Sequence, residues 1–439
     1  MLIRGATLPD GRRRDVLIEG QRVSAVGEDL AGEPVVEADG LRLLPGAIDV
    51  HVHFREPGAP HKETWETGSQ AAAAGGVTTV VDQPNTDPPT VDAGAVQRKL
   101  ATAQGTSIVD FAVNGGVTPT WRPDELFEAP IAALGEVFMA DSTGELGIGP
   151  ELFESALREA ARRDALVTVH AEDPTRFDDA VRGRTDAAAW SDYRPVDAEV
   201  AATERALAVA ASTGARLHLA HASTPEAVDR VAAAGGTCEA TPHHLLLSRD
   251  DLEELGTLGR MNPPLRDDRR RRALLERLVD GTVDMVASDH APHTLAEKDA
   301  DIWRAPSGVP GVETMVPVLL GHAADGDLPV ERVAEATARA PADRFGFARK
   351  GRIAPGVDAD LALYDLERVR PVDAERLATA CGWTPFEGRP AVFPVLTLLR
   401  GRPAYVDPDE PPPGLSDGLA GSAFGPPRGR NVVAAQSSV

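Results

Sequence analysis

The sequence predicts an α/β protein: a (β/α)8 TIM-like barrel with a small discontinuous β-sandwich domain contributed by both termini. Within the chain, apolar β-branched runs such as GGVTTVVDQ and ALVTVHAED alternate with Ala-, Arg- and Glu-rich helical segments such as PELFESALREAARRD. This alternation is typical of parallel strands joined by helices. Both ends instead carry short β-rich runs separated by Gly and Asp, such as MLIRGATL and PVLTLLRGRPAYV, as hairpins do.

These patterns divide the chain into four parts. We expect the first part of the sandwich at 1–46, the catalytic barrel at 47–346, the second part of the sandwich at 347–406 and a Pro/Gly-rich irregular tail at 407–439. A doubly wound open sheet is the alternative architecture. It is disfavoured because no Gly-rich phosphate loop follows a first strand.

The composition is strongly acidic and poor in lysine. The formal net charge is −23, and four lysines stand against forty-one arginines. Such a surface disfavours nucleic acid and anionic membranes as partners. It suits a halophile's high-salt cytoplasm, where salt screens the self-repulsion; GC-rich codon usage in a mildly acidic protein is the alternative explanation.

Targeting features and cysteines favour a cytoplasmic protein. No apolar stretch approaches the roughly 18 residues of a membrane-spanning helix, and the N-terminal segment lacks the apolar core of a secretory signal. The two cysteines, Cys238 and Cys381, form neither a zinc knuckle nor a disulfide framework.

Metal-capable side chains recur at the ends of the predicted barrel strands, where barrel enzymes place their active sites. A single histidine at a strand end is more often structural, but five strand ends in order indicate a divalent-metal site, since imidazole and carboxylate suit zinc and similar ions. His51 and His53 share one strand face because side chains alternate along a strand. The candidate ligands are His51, His53, Glu136, His170, His221 and Asp289.

The chain resembles the amidohydrolase superfamily and, within it, the dihydroorotase family, over nearly its whole length. The motifs that carry the resemblance are HVHFREPG, AAAAGGVTTVVDQPNT, VHAED, LAHAST, TCEATPHHLLLS, MNPPLR, ASDHAPH, SGVPGVET, KGRIAPGVDADLALYD and WTPFEG. The resemblance implies a barrel with a small β-sandwich and a divalent metal centre, with one or two Zn²⁺ per chain. It also implies reversible cyclisation of N-carbamoyl-aspartate to dihydroorotate in pyrimidine synthesis.

One departure from the related enzymes concerns the ligand that bridges two metals. Relatives often use a carboxylated lysine on the fourth strand, but this chain has no lysine between Lys99 and Lys298. The segment GEVFMAD is similar to FKVFMAY of related hydrolases and places Glu136 at that position. Asp141, just beyond, is the alternative ligand, and a site without a bridging residue is the third possibility.

The reaction that the resemblance implies needs a nucleophile, a polarised amide carbonyl and a proton shuttle. Asp289 is the predicted catalytic shuttle, because a carboxylate beside the metal can accept the nucleophile's proton and return it to the ring nitrogen. Arg55 is predicted to bind the substrate carboxylate, since a planar guanidinium pairs a carboxylate bidentately. Asn85, Asn262 and His293 are the other predicted substrate contacts, although either asparagine could simply cap a turn.

Two other functions compete with the dihydroorotase prediction. Hydantoinase- or allantoinase-like enzymes open neutral cyclic amides, and both Arg55 and the missing lysine count against them. A non-catalytic scaffold for aspartate carbamoyltransferase would be expected to lose ligands that this chain keeps. The partner expected is therefore the small-molecule substrate, with a homodimer and an association with aspartate carbamoyltransferase as the assemblies considered.

Overall fold

The computed structural model describes residues 1–142, 146–415 and 422–436. The N-terminal part is a set of short strands: β1 (Leu2–Thr7), β2 (Arg13–Glu19), β3 (Arg22–Gly27), β4 (Val35–Glu37) and β5 (Arg42–Pro45). Strand β2 pairs antiparallel with both β1 and β3, while β4 and β5 each pair parallel with β1.

Eight parallel strands follow and surround the centre of the molecule. They are β6 (Ala47–Val52), β7 (Val77–Asp82), β8 (Asp110–Val113), β9 (Leu134–Phe138), β10 (Leu166–His170), β11 (Arg216–Leu219), β12 (Thr237–Ala240) and β13 (Met285–Val286). Strands β6 to β8 pair in one run and β9 to β13 in another. Single parallel bridges, Gly115 to Leu134 and Val52 to His290, join the two runs at both seams. The described strands therefore follow the course of a (β/α)8 barrel.

Helices cover the outside of these strands and fill the longer loops. They are α1 (Trp65–Ala74), α2 (Ala93–Thr106), α3 (Pro123–Glu128), α4 (Pro150–Arg162), α5 (Ala188–Tyr193), α6 (Val196–Thr213), α7 (Pro225–Ala233), α8 (Pro242–Leu246), α9 (Leu252–Leu255), α10 (Asp268–Asp280), α11 (Leu295–Lys298), α12 (Met315–Ala324), α13 (Val330–Ala334), α14 (Ala340–Phe345) and α15 (Val432–Gln436). Several begin at a side-chain cap: Thr64, for example, accepts a hydrogen bond from the backbone N–H of Thr67 and so satisfies an otherwise free donor.

The C-terminal strands complete the N-terminal sheet. They are β14 (Leu361–Tyr364), β15 (Arg370–Pro371), β16 (Pro390–Ala391), β17 (Pro394–Leu399) and β18 (Arg402–Val406). The sheet order is β18-β17-β14-β5-β1-β2-β3, so the antiparallel pair β14–β5 joins the two ends of the chain. This confirms the predicted β-sheet domain from both termini, whereas the residue boundaries of the four parts stay a prediction. In the tail, the N–H of Gly429 donates to Ser107 O at 2.9 Å, so this part packs on the barrel.

The barrel strands are buried on both faces, as parallel sheets covered by helices are. Their apolar side chains form the largest core of the molecule, and a second core lies under the terminal sheet. The polar residues that interrupt this apolar pattern stand at the carboxyl ends of the strands, which all open at one mouth of the barrel.

Candidate active site

Three predicted ligands meet at the mouth of the barrel where the last strand returns to the first. Nε2 of His53 lies 3.0 Å from Oδ1 of Asp289, and Nε2 of His51 lies 3.6 Å from the same oxygen. All three side chains are buried. The bridge from Val52 to His290 explains the encounter, because it places the end of β6 beside the segment that follows β13.

Glu136 lies at the centre of the remaining predicted ligands. Its Oε1 is 2.6 Å from Nε2 of His221 and 3.0 Å from Nδ1 of His170, and its Oε2 is 3.3 Å from Nε2 of His51. The two nitrogens of His170 and His221 are themselves only 3.1 Å apart. Glu136 therefore touches histidines from three different strand ends, as a ligand shared between two ions would.

The donor set fits a divalent cation. His51, His53 and Asp289 form one group whose ligand atoms lie within 4.8 Å of one another, and His51, Glu136 and His221 form a second. Nε2 of His51 and Nδ1 of His221 are buried without a hydrogen-bond partner among the described residues. Buried polar atoms are normally satisfied, so two unsatisfied imidazole nitrogens within one cluster are what a site built for a metal leaves behind. Nitrogen and carboxylate oxygen are the donors that zinc takes.

Asp141, the alternative to Glu136, lies elsewhere. It is exposed, and its Oδ1 accepts a hydrogen bond from the backbone N–H of Gly147 at 2.7 Å. Its carboxylate belongs to neither ligand group that the described residues form. The geometry favours Glu136 over Asp141 as the carboxylate of the fourth strand.

A small cavity opens next to the cluster and brings in three of the predicted substrate residues. It is lined by His53, Arg55, Asn85, Glu136, Phe138, Ser142, His221, Asn262, Asp289, Ala291, Ser307 and Gly308. Asn85 Oδ1 lies 2.6 Å from Nδ1 of His53, so this amide orients a metal-site histidine as well as facing the cavity. Asn262 donates from Nδ2 to Ser142 Oγ at 3.2 Å.

His293, the fourth predicted substrate residue, stands behind Arg55. Nη2 of Arg55 lies 3.3 Å from Nε2 of His293, which is also 3.0 Å from Ser307 O. Its Nδ1 is 3.0 Å from Nζ of Lys62. Nδ1 can only accept from the Lys62 ammonium, so Nε2 carries the hydrogen and donates to Ser307 O. Both ring nitrogens thus have protein partners, which favours His293 packing behind Arg55 over a direct contact with substrate.

Comparison with known proteins agrees with this geometry. The model of the amidohydrolase family matches residues 42–393. The chain is 58% identical over 432 residues to the dihydroorotase of Halobacterium salinarum, covering 98% of this chain and 99% of that protein. It is 45% identical to the dihydroorotase of Methanosarcina acetivorans, covering 94% and 92%. The chain belongs to the amidohydrolase family.

Solved amidohydrolases share the architecture. The L-hydantoinase (dihydropyrimidinase) of Arthrobacter aurescens superposes with a TM-score of 0.88 at 30% identity, covering 92% of this chain and 95% of that one. The dihydropyrimidinase of Brevibacillus agri gives a TM-score of 0.86 at 29% identity, covering 98% and 97%. The chain is thus a TIM-barrel amidohydrolase with an additional β-sheet domain. In the part of the chain that the structure describes, no helix combines the length and apolarity needed to cross a membrane.

Outer partners orient the histidines of this amidohydrolase, and the sequence did not reveal them. Glu239 Oε1 lies 2.6 Å from Nδ1 of His51, while Glu172 Oε2 lies 2.9 Å from Nε2 of His170. Glu172 in turn pairs with Arg194 at 2.8 Å. A carboxylate on the far nitrogen of a metal-binding histidine fixes its ring and raises its basicity. One feature of the sequence could have revealed Glu239. It is a charged residue inside the buried strand β12 (TCEA), and a charge is costly to bury without a partner.

The electrostatics of the cluster follow from burial and close charges. Burial alone raises the pKa of Glu136, but the neighbouring His51 and His221 outweigh it and hold the pKa well below its usual range. Burial also raises the pKa of Glu239, but His51 and His218 outweigh burial and lower this pKa to about 2. Burial lowers the pKa of the Arg55 guanidinium to about 10. Both carboxylates are therefore anionic and Arg55 cationic at neutral pH.

Three residues of the site adopt the left-handed backbone region that side chains with a Cβ usually avoid. The φ angles are 60° at Arg55, 33° at His221 and 45° at Asp289. Each such residue costs on the order of 1–3 kcal/mol and persists where the surrounding structure imposes it. All three line the cavity, so the backbone strain is concentrated where side chains are aimed at a ligand.

Proposed function

We propose that this amidohydrolase is a dihydroorotase, which catalyses the reversible, metal-dependent cyclisation of N-carbamoyl-L-aspartate to (S)-dihydroorotate in de novo pyrimidine biosynthesis. The observation that carries the assignment is Arg55: it is buried, lines the cavity beside the metal-binding cluster and has no carboxylate within 4 Å among the described residues. Asp289, Asp82 and Glu297 stabilise its charge only from beyond ion-pair distance, so the buried guanidinium can still pair directly with an anionic group of a ligand. Dihydroorotate brings a carboxylate that neutral cyclic amides lack. The two curated relatives compared above are both dihydroorotases.

The metal is proposed to be Zn²⁺, with one or two ions per chain. His51, His53 and Asp289 would hold one ion and His170 and His221 a second, with Glu136 shared between them. A divalent cation bound there supplies Lewis acidity and a nucleophile at neutral pH.

The chain's own residues would supply proton transfer and positioning. Asp289 Oδ1 lies 3.0 Å from Nε2 of His53 and 3.6 Å from Nε2 of His51, so its carboxylate stands in the cluster where it can take a proton from the nucleophile and deliver it to the departing ring nitrogen. Arg55 would hold the substrate carboxylate in a bidentate pair. The amide groups of Asn85 and Asn262 face the same cavity and would bind the carboxylate and the ring amides. His293 would pack behind Arg55 and hold the Ser307 segment of the cavity wall through its Nε2–H.

A second candidate is a hydantoinase-like hydrolase of neutral rings. The observation that favours it is the TM-score of 0.88 with the Arthrobacter L-hydantoinase. Arg55 argues against it, because a neutral ring would leave the buried guanidinium without a directly paired carboxylate. A non-catalytic scaffold for aspartate carbamoyltransferase is weaker still, since five of the six proposed ligands fall in the two ligand groups and the sixth, His170, contacts Glu136.

Location and assembly complete the proposal. We infer a cytoplasmic enzyme that acts on a small-molecule substrate. A homodimer and an association with aspartate carbamoyltransferase are the assemblies to test by light scattering of the purified protein, alone and mixed with that enzyme.

One assay tests the function. Zinc-loaded protein is offered dihydroorotate, hydantoin and allantoin, and ring opening is followed by ultraviolet absorbance. Turnover of dihydroorotate with little activity on the two neutral rings is the expected result. A preference for hydantoin or allantoin would replace the assignment with the second candidate, and inactivity on all three would favour a scaffold.

A further inference from the structure

Buried lysine and arginine side chains in this protein have a carboxylate within 4 Å, with two exceptions. Among the described residues, the paired ones are Lys99, Arg194, Arg266, Arg332, Lys350 and Arg400. The two without a carboxylate within 4 Å are Arg55, which has Asp289, Asp82 and Glu297 only at longer range, and Lys298, on which no described carboxylate acts. Desolvating a charge without a counter-charge is costly, and both exceptions lie on one side of the substrate cavity.

Lys298 lies directly behind the cavity wall. Its side chain is 1% exposed, and its Nζ donates to Arg260 O and to Pro306 O, each at 3.0 Å. Pro306 precedes Ser307 and Gly308, which line the cavity. The N–H of Gly308 also donates to Arg260 O, at 3.0 Å. Lys298 thus sits one residue layer from the ligand and does not contact it.

A third cation, Arg260, strengthens the same wall. It is half-buried, and no described carboxylate forms an ion pair with it; its guanidinium instead lies 3.7 Å from the ring centre of Trp190. Its Nε donates to Ser307 Oγ at 3.2 Å. The Nζ of Lys298 is likewise 5.5 Å from the ring centre of Trp383. Aromatic faces give these side chains partial compensation, and both side chains lie against the Pro306–Gly308 wall of the cavity.

We propose that Lys298 is a specificity-determining residue that favours an anionic ring over a neutral one, because the carboxylate of the bound ring supplies the counter-charge that the protein withholds. This inference rests on the proposed function and extends it from the residue that touches the carboxylate to one that acts through the electric field. Charges interact strongly over several ångströms when water is excluded. Such a short-range effect also survives the salt that screens surface charges.

The proton equilibrium of Lys298 supports this geometry. Burial lowers the pKa of its amine well below the usual range, and the nearby Arg260 and Arg55 lower it further. A carboxylate bound in the cavity acts in the opposite direction and favours the charged amine. The anion and the ammonium therefore stabilise each other.

The test compares two rings that differ only in a carboxylate, orotate and uracil, binding to the zinc-loaded full chain in titration calorimetry. Lys298→Met removes the charge and keeps the length of the side chain. Orotate affinity should fall about tenfold, while uracil affinity stays within about twofold. Arg304→Met is the matched control: Arg304 is exposed, pairs with Asp301 at 2.6 Å and does not line the cavity, so both affinities should stay unchanged.

Other results would overturn the inference. Equal weakening of both rings in Lys298→Met would mean that the residue only holds the wall together, and unchanged orotate affinity would mean that its charge is irrelevant. If uracil binds wild type too weakly to measure, Lys298→Arg decides: recovered orotate affinity supports the charge role, and affinity as low as in the methionine variant refutes it. Lys298→Gln, another neutral variant, replaces Lys298→Met if thermal unfolding shows that the latter is misfolded. Wild-type protein that binds orotate but opens no dihydroorotate would refute the proposed function, while the orotate and uracil affinities of the Lys298 variants would still decide this inference.

Discussion

Glu239 Oε1 lies 2.6 Å from Nδ1 of His51, and the other ring nitrogen of His51 faces Glu136 and Asp289. With a hydrogen on Nδ1, the imidazole donates to Glu239 and presents its Nε2 lone pair to the metal cluster. The second oxygen of Glu239 lies 3.1 Å from Nε2 of His218. The carboxylate thus fixes both the orientation and the tautomer of a candidate metal ligand.

Glu239→Gln should weaken metal binding about 10- to 100-fold, because the amide lacks the negative charge that makes His51 a stronger donor. The dissociation constant for zinc, measured by competition with a chromophoric chelator, checks this. Thr237→Val is the control, since it removes only the Thr237 hydroxyl that lies 2.8 Å from Nδ1 of His218. If Glu239→Gln bound zinc as tightly as wild type, the carboxylate would have no part in the metal site.

Arg55→Ala should lower kcat/KM for dihydroorotate roughly 30- to 1,000-fold and leave the metal content unchanged. A lost charged hydrogen-bond pair is worth on the order of 2–4 kcal/mol, and Arg55 lies beside the ligand set without belonging to it. Steady-state kinetics and metal analysis of the same preparation provide the measurement. Arg304→Ala removes an exposed arginine and should be neutral; near-normal kinetics in Arg55→Ala would refute the substrate assignment.

The positions of the predicted ligands follow from two local rules. Side chains alternate along a strand, and all parallel strands of a barrel open at one mouth, so residues such as His51 and Asp289 could be placed together without knowing which strands are neighbours. Glu136 required more, namely the similarity of GEVFMAD to the motif that carries a lysine in relatives.

The outer partners depend on contacts that no local pattern encodes. Glu239 is separated from His51 by 188 positions and meets it only after the barrel forms. Local chemistry also sets where a strand ends: β12 stops at Ala240, within the run GTCEATPHH. Thr241 caps a short helix by accepting a hydrogen bond from the N–H of His244, and the proline at the first helical position suits that start.

Salt should stabilise the fold. The net charge of −23 gives a self-repulsion that ions screen, so the thermal unfolding midpoint should rise as potassium chloride increases from low to molar concentration. The 58% identity to a protein of Halobacterium salinarum is consistent with a high-salt setting. Glu253→Gln combined with Glu254→Gln removes two exposed charges and should raise the midpoint at low salt more than at high salt. A midpoint that fell steadily with salt would contradict the halophile interpretation.

The last prediction concerns the fourth strand. If Glu136 is the shared ligand, activity should not depend on bicarbonate or carbon dioxide, because the carboxylate is already part of the side chain. Glu136→Ala should then lose metal and activity together, since it removes a group that touches His51, His170 and His221. Glu136→Gln should keep the fold but bind metal poorly, because a neutral amide cannot offset divalent charge.

Asp141→Ala is the matched control for this set. Asp141 is exposed and its carboxylate accepts only the Gly147 N–H among the described contacts, so its loss should be much milder for metal content and turnover. Metal analysis per chain measures the loss of metal in each variant, and kinetics in carbon-dioxide-depleted buffer measure whether turnover depends on carbon dioxide. The reverse pattern, in which Asp141→Ala strips the metal and Glu136→Ala retains it, would move the ligand five residues along the chain. Since Glu136 is held in place by its backbone N–H, which donates to Gln83 Oε1 at 2.9 Å, such a shift would require the end of β9 to rebuild, and the buried His170–His221 pair would lose the carboxylate that now separates it from His51.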